Sequence, residues 1–300
     1  MNDAKVSVIM AAYNAEDFIL KSVNSALMQT HTNLELIICD DCSVDKTNSV
    51  IAQVADNRVR LISNTINLGV SKTRNKCLEI ATGDFIAILD SDDVWTTGKI
   101  EKQLKFLGKH PKVGIVGSWA TEMDIDDHQV GHRDFPIKHE DLMDFRIWAC
   151  PFLHSSILVR REAMMNYSES TKQAEDWKLE NKILLKWRGG NLPERLVHYR
   201  IHSQNLTNSY PLEQRREALK VVQGFPEFSR LSQAEFAEFS KLFNYNLSEI
   251  TQPLQGMKAL LKLSLPNGFR KHSRRRFRWL VTHTISRQIR KIAKWDESTN

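Results

Sequence analysis

Through the first two-thirds of the chain, short apolar runs rich in branched side chains alternate with longer amphipathic stretches. Val6–Ala11, Glu35–Cys39, Val59–Ser63, Asp84–Leu89 and Val113–Ser118 read as strands, and Leu196–Ile201 as a further one. Helical spacing occupies Ala15–Gln29, Asp45–Ala55, Ser71–Ala81 and Lys99–Lys109. Ser43-Val44-Asp45-Lys46 and Asn67-Leu68-Gly69 supply turn and cap residues before two of these helices. Such alternation predicts an α/β fold with a mainly parallel sheet, covered on both faces and joined by right-handed crossovers. From about Tyr210 the pattern changes. Leu212–Phe243 is helical and mixed in charge, with a break at Pro226, and Gly256–Leu265 is a short apolar-basic helix ended by Pro266-Asn267-Gly268. We therefore expect an α/β domain over residues 1–210 and a helical extension over 211–300.

The fourth strand ends abruptly in acid: Ile86-Ala-Ile-Leu-Asp-Ser-Asp-Asp-Val-Trp95. In open α/β sheets, ligands sit in the crevice beyond the strand carboxyl ends, so Asp90, Asp92 and Asp93 fall where chemistry is usual. Carboxylates this close raise one another's pKa unless a cation neutralises them. Hard oxygen ligands favour Mg²⁺ or Mn²⁺, and with them a phosphate-bearing substrate. An acidic turn capping a helix would give the same spacing, and Asp124-Ile-Asp126 is expected to be such a turn.

The other strand ends converge on the same crevice. They carry Ala11-Ala12-Tyr13-Asn14, Asp40-Asp41-Cys42-Ser43-Val44-Asp45 and Asn67-Leu68-Gly69. Small residues and a tyrosine ring beside two carboxylates suit a flat heteroaromatic base such as uracil, whose ring N–H a carboxylate accepts. Neither G-x-x-x-x-G-K-[ST] nor G-x-G-x-x-G occurs. A diphosphate here must be neutralised by a metal ion and cationic side chains.

These blocks, in this order, resemble the family 2 inverting glycosyltransferases. The resemblance rests on Val-Ser-Val-Ile-Met-x-x-Tyr13-Asn14, Asp40-Asp41-x-Ser43-x-Asp45-x-Thr47, Asn67-x-Gly69 with Arg74-Asn75, and Leu89-Asp90-Ser91-Asp92-Asp93-x-Trp95. It continues through Ala174-Glu175-Asp176-Trp177 and Tyr199-Arg200-Ile201-His202-x-x-Asn205. It implies the GT-A fold over residues 1–210 and transfer of a hexosyl or N-acetylhexosaminyl group from a nucleotide-sugar, commonly a UDP-sugar, with Mn²⁺ or Mg²⁺. It also implies roles. Tyr13 and Asp41, with Asp40 nearby, match nucleobase-contacting positions. Ala11 stands where a small or hydroxyl residue is usual, and Asn67 and Arg74 fall in donor blocks. Asp92 and Asp93 match the ribose- and metal-contacting carboxylates, with Asp90 completing an alternative D-x-D. Cys42, where the family often has Gly or Asn, alters the loop but removes no ligand.

Inversion needs in-line displacement, with a base taking the acceptor's proton. Asp176, beginning a helix whose Trp177, Leu179 and Ile183 fix it to the core, resembles that base; Glu175 beside it belongs to the acceptor side. Acids are favoured at helix N-termini on dipole grounds alone. His202, ending the Leu196–Ile201 strand, is a candidate for the diphosphate or the metal, whereas His198 receives no role. Cys150–Ile157 resembles the family's acceptor-side strand, within which His154 is an acceptor contact or a packed side chain.

Charge enters last. Lys and Arg number 42 against 36 Asp and Glu, and much of the net +6 comes from Arg270, Lys271, Arg274, Arg275, Arg276 and Arg278. Phe277, Leu280, Val281, Thr284, Ile285, Ile289 and Ile292 form a helical stripe with Arg287, Arg290 and Lys294 opposite. An apolar stripe with basic flanks suits an anionic membrane surface; packing on the catalytic domain would need the stripe alone. The tail matches no known nucleic-acid module, so nucleic acid is not expected as a partner. Val6–Ala12 is too short for a signal-peptide core, and no run approaches a membrane span, so a cytoplasmic enzyme peripheral on the inner membrane face is expected. Cys39-Asp-Asp-Cys42 has redox spacing, but its acids disfavour a thiolate, and Cys77 and Cys150 complete no zinc set. The expectation is a metal-dependent enzyme of bacterial surface polysaccharide or lipopolysaccharide synthesis, acting on a glycan or lipid-linked acceptor. Its rivals are a non-catalytic binding protein on the same fold and a sugar nucleotidyltransferase, which would want a Gly-rich loop near the N-terminus.

Overall fold

The computed structural model describes residues 3–171, 173–202, 211–243 and Ala259. The first strand, β1 (Val6–Ala12), is buried on both faces and lies parallel to β2 (Leu34–Asp40) and β4 (Phe85–Ile88), and β2 is parallel to β3 (Val59–Ser63). Strands buried this way carry near-continuous apolar runs; the polar exceptions Ser7 and Glu35 bond each other inside, Ser7 Oγ donating to Glu35 Oε1 (2.6 Å). The helices α1 (Ile19–Leu27), α2 (Thr47–Ala52) and α3 (Val70–Ile80) make the crossovers, and α4 (Lys99–Lys109) follows them in the chain. This half matches the alternation of the sequence.

The other half is antiparallel at its join. β8 (Leu158–Arg160) pairs antiparallel with both β4 and β6 (Val113–Met123), and β6 runs parallel to β9 (Arg188–Arg200). Two-residue β5 (Val94–Trp95) hooks antiparallel onto β9, and β7 (Gln129–Arg133) folds back on β6. The sheet order is β3-β2-β1-β4-β8-β6-β9-β5, with β7 off β6. The expected acceptor-side strand over Cys150–Ile157 is corrected: His154–Ser156 form a 3₁₀ turn, and the strand begins at Leu158. The expected helix from Ala15 begins at Ile19, after a turn closed by Phe18 N–H on the Ala15 carbonyl.

Two apolar cores cover the sheet, one built on Val8, Met10, Leu36, Leu104 and Val116, the other on Ile9, Ile37, Ile86, Ile115 and Ile183. A third joins Ile147, Trp148 and Trp177 to Val221, Val222, Phe225, Phe228, Phe239 and Ala259. It lies between α5 (His139–Phe145) with α6 (Glu175–Leu184) and the C-terminal pair α7 (Pro211–Gln223) and α8 (Gln233–Phe243). Arg146 ties the two together: fully buried, it donates to Asn181 and to Glu227 and lies 4.8 Å over the Phe225 ring. No helix of the described residues is long and apolar enough to cross a membrane. The basic stripe after Phe269 lies outside the described residues.

Candidate active site

The acidic turn after β4 is held from several sides. Ser22 Oγ donates to the Ser91 carbonyl (2.9 Å), and Ser25 Oγ accepts from Trp95 N–H (3.0 Å). Ser155 accepts the Asp90 N–H (3.0 Å) and, through its carbonyl, the Trp95 indole N–H (2.7 Å). The β5 hook then aligns the turn with the end of β9, which brings His202 Nε2 within 2.9 Å of the Asp92 carboxylate. The Phe18 ring meets the His202 ring at 5.1 Å.

Three carboxylates divide the work. Asp92 is partly exposed beside His202. Asp93 is buried; one oxygen accepts the Arg200 N–H (2.9 Å), while Oδ2 has no hydrogen-bond partner. Burial lifts its carboxyl well above the ordinary range, and the charges of Asp92 and Asp90 push the same way. Burial would also raise Asp90, but the Arg74 guanidinium, 2.6 Å away, joined by His154 and Ser155, outweighs it and holds that carboxyl low. An orphaned buried carboxylate oxygen, mutual repulsion and an adjacent imidazole form a donor set that fits a divalent cation. Among the described residues the tightest group of potential ligand atoms is elsewhere: Asp124, Asp126 and His128, within 4.8 Å of one another on the β6–β7 turn. There Asp124 Oδ1 accepts the N–H groups of Asp126 and His128, both at 2.9 Å, as the expected acidic turn does.

The base-side loops are built differently. Asp41 is buried and accepts from Asn64 Nδ2 (2.7 Å) and the N–H groups of Leu68 and Gly69 (both 2.8 Å), so it shapes the loop after β3. That loop turns at Gly69, whose φ of +84° suits a residue without Cβ. Asn67 donates to the Asp41 carbonyl (3.3 Å), and Asp40 accepts the Ser43 hydroxyl (2.5 Å). Tyr13 is half exposed, following Ala11 and Ala12 at the end of β1. Val44 and Ile66, on the neighbouring loops, are exposed apolar side chains.

Arg74 crosses the site. Buried in α3, it bonds Asp90 on one side and Glu175 Oε1 (3.1 Å) on the other, with the Tyr167 ring 5.4 Å away. Glu175 is buried with Oε2 unpartnered, and Asp176 follows it at the start of α6. Burial, then the Glu175 charge, raises the Asp176 carboxyl to about 7, although Trp177 N–H (2.7 Å) and Arg74 act against the rise. A carboxyl titrating there is matched to proton abstraction at neutral pH.

His154 is buried with both ring nitrogens taken, Nδ1 by Glu180 (3.0 Å) and Nε2 by Tyr167 (2.8 Å). Burial and Arg74 lower its pKa to about 3, so the ring is neutral. Cys150 Sγ extends the chain to Glu180 (2.9 Å). Of the two alternatives held for His154, this geometry fits packing. His198 pairs with Val94 in the β5–β9 ladder. Sequence reasoning missed Tyr167, Glu180 and Ser155, which carry no local signal. It also passed over Arg200, which had one: a charge inside an apolar strand run.

The sequence was compared with families and known proteins. The family described as Glycosyl transferase family 2 matches residues 7–168. The Escherichia coli UDP-Glc:alpha-D-GlcNAc-diphosphoundecaprenol beta-1,3-glucosyltransferase WfaP is 35% identical over 205 residues, 67% of this chain and 79% of that protein. Among solved structures, S. aureus TarS 1-349 in complex with UDP-GlcNAc superposes with a TM-score of 0.60 at 20% identity, covering 86% of this chain and 80% of that one. The mannosyltransferase PcManGT from Pyrobaculum calidifontis, in complex with GDP-Man and Mn²⁺, gives 0.57 at 18%, covering 93% and 86%. The curled α/β sheet is thus the GT-A fold.

Proposed function

The chain belongs to glycosyl transferase family 2, and from that premise we propose that it moves a hexosyl or N-acetylhexosaminyl group from a UDP-sugar onto a hydroxyl of a glycan or lipid-linked acceptor. The transfer inverts the anomeric carbon and serves bacterial surface polysaccharide or lipopolysaccharide synthesis. The observation that carries this reading is the Arg74 bridge between Asp90 and Glu175 (2.6 and 3.1 Å). A single displacement requires the donor diphosphate and the attacking hydroxyl on opposite sides of one carbon, with that hydroxyl about 3 Å from the carbon and the base a hydrogen bond beyond it. One guanidinium spanning the donor-side carboxylate and the residue before Asp176 supports that closeness.

In this reading Asp176, ionised above about pH 7, takes the acceptor hydroxyl's proton, and Trp177 N–H fixes its Oδ1 (2.7 Å). Glu175, buried beside Asp176 with Oε2 unpartnered, adds its charge to the base's surroundings. Tyr13, Ala11, Asp40 and Asn67 line the nucleobase side, with Asp41 holding their loops together. Asp92 and His202, with Asp93 between Asp92 and β9, would hold Mn²⁺ or Mg²⁺. When bound, that ion neutralises charge developing on the leaving diphosphate. The relative from E. coli takes, by its name, a UDP-sugar and a diphosphoundecaprenol-linked acceptor, which supports both substrate classes. The apolar stripe from Phe277 to Ile292, with its basic flanks, would then keep the enzyme beside such an acceptor at the cytoplasmic membrane face.

A panel of nucleotide-sugars in thermal-shift assays, with Mn²⁺ and with chelator, tests the reading. A donor at 100 times its Kd stabilises the protein by about 2.7 kcal/mol, a readily measured shift. A UDP-sugar should stabilise only with metal present. Stabilisation by no nucleotide-sugar, or a product that retains the donor's anomeric configuration, overturns it.

A further inference from the structure

Arg200 is among the largest fully buried side chains in the described residues, and the mechanism above leaves it without a role. Its contacts link the acidic turn to the β6–β7 turn. Its backbone N–H donates to Asp93 Oδ1 (2.9 Å), and Nε donates to the Asp92 carbonyl (2.9 Å). Nη1 donates to the Asp124 carbonyl (2.9 Å) and pairs with Asp127 Oδ1 (2.6 Å) on the β6–β7 turn. The guanidinium lies 4.8 Å over the Phe18 ring, whose other neighbour is His202. One planar fork therefore touches the main chain of Asp92 and the ring that backs His202.

Burying a guanidinium is expensive, and an apolar side chain would pack the same space without that penalty. What the arginine adds is direction: several donors fixed in one plane, which a lysine does not offer. Its charge partner is not in the core. Asp127 sits on the turn, 39% exposed at its side chain, with φ +67°, and also accepts from Lys21 of α1 (2.5 Å).

We propose that Arg200 is a positioning residue for the divalent cation, setting Asp92 through its carbonyl and His202 through Phe18, and that Asp127 holds Arg200 in place. An exposed turn that supplies none of those ligands thereby tunes cation affinity. The inference rests on the reading of Asp92 and His202 as cation ligands, and the test separates the two.

Mn²⁺ affinity is measured by electron paramagnetic resonance titration of the full-length wild type and of Asp92→Asn, Asp127→Asn and Arg200→Lys, without donor. Residues that orient metal ligands typically contribute 10- to 100-fold in affinity. Asp92→Asn should lose binding, Arg200→Lys should weaken it about 10-fold or more, and Asp127→Asn by about 3- to 10-fold. In transfer assays Asp127→Asn should raise the Mn²⁺ concentration for half-activation while kcat at saturating Mn²⁺ stays within about twofold. Wild-type affinity in Asp127→Asn and Arg200→Lys, with binding lost in Asp92→Asn, overturns the Arg200 inference and leaves the cation site standing. So does a fall in kcat with no change in Mn²⁺ affinity, which marks a purely structural role. Should Arg200→Lys not fold, Asp127→Asn decides alone. A wild type that binds no Mn²⁺, or binding that survives Asp92→Asn and so resides on the Asp124–Asp126–His128 turn, overturns both readings.

Discussion

Arg74 donates to Glu175 across 101 residues of chain, at 3.1 Å, while its other terminal nitrogen holds Asp90. A buried cation between two carboxylates makes the donor turn and the start of α6 one electrostatic unit.

Arg74→Met should therefore destabilise the protein by about 3–5 kcal/mol, the range for breaking a buried pair by removing one partner. Because Arg74 also opposes the rise in the Asp176 pKa, the acidic limb of kcat/KM against pH should move above 7. Urea unfolding and a pH–rate profile of the surviving folded enzyme check the two effects. An unshifted limb would show that Arg74 does not reach the base.

The C-terminal helices are tied to the helix that carries Asp176. Phe228 packs edge-on against Phe225, Phe236 and Phe239, and Phe225 meets the ring of Trp177. Removing a buried phenylalanine side chain costs about 3–5 kcal/mol. Phe228→Ala should lower the urea midpoint accordingly, with an unchanged slope. Cutting the chain before Pro211 should give aggregated protein, since Trp148 and Trp177 lose their cover. A soluble, active 1–210 fragment would argue that the helices are dispensable.

The parallel half of the sheet was legible because β1, β2 and β4 are largely apolar on both faces and the segments between the strands have a helical period. The Lys99–Lys109 helix has the expected bounds. Of the other half, β6 and the end of β9 were legible as Val113–Ser118 and Leu196–Ile201; the rest was not, for physical reasons. β5 is two residues and β8 three, too short to carry a pattern. β9 opens with Arg188-Gly189-Gly190-Asn191, which has no strand character of its own. Its glycines answer to packing: a Cβ at Gly189 would come within 2.5 Å of Leu184 Cδ2. Single loops such as Asp90–Asp93 were readable in the sequence. The interior bonds of Arg74, Arg200 and His154, made across the fold, were not.

The basic stripe beyond Phe269 yields a prediction from charge alone. Each Lys or Arg near an anionic leaflet adds about 1 kcal/mol, lost as salt shortens the Debye length. Truncation from Phe269 should preserve donor hydrolysis, abolish sedimentation with phosphatidylglycerol vesicles and slow transfer to a lipid-linked acceptor. Full-length protein that ignores such vesicles at low salt would rule the membrane role out.

Asp176 makes opposite demands on activity and stability. Its carboxyl titrates near 7 in the folded protein and near 3.8 when unfolded. The native state therefore holds its proton more tightly, and stability falls as pH rises between those values, then levels off. Activity runs the other way, because only the ionised form accepts a proton: kcat/KM should climb with pH through about 7. Asp176→Asn removes the ionisation. The variant should melt higher than the wild type at pH 8 and match it near pH 4, while transfer falls by roughly 10²-fold or more with donor binding intact. Calorimetric melts at the two pH values and transfer assays measure these together. A variant that loses activity and is also less stable at pH 8 would mean that Asp176 supports the fold and some other group takes the proton.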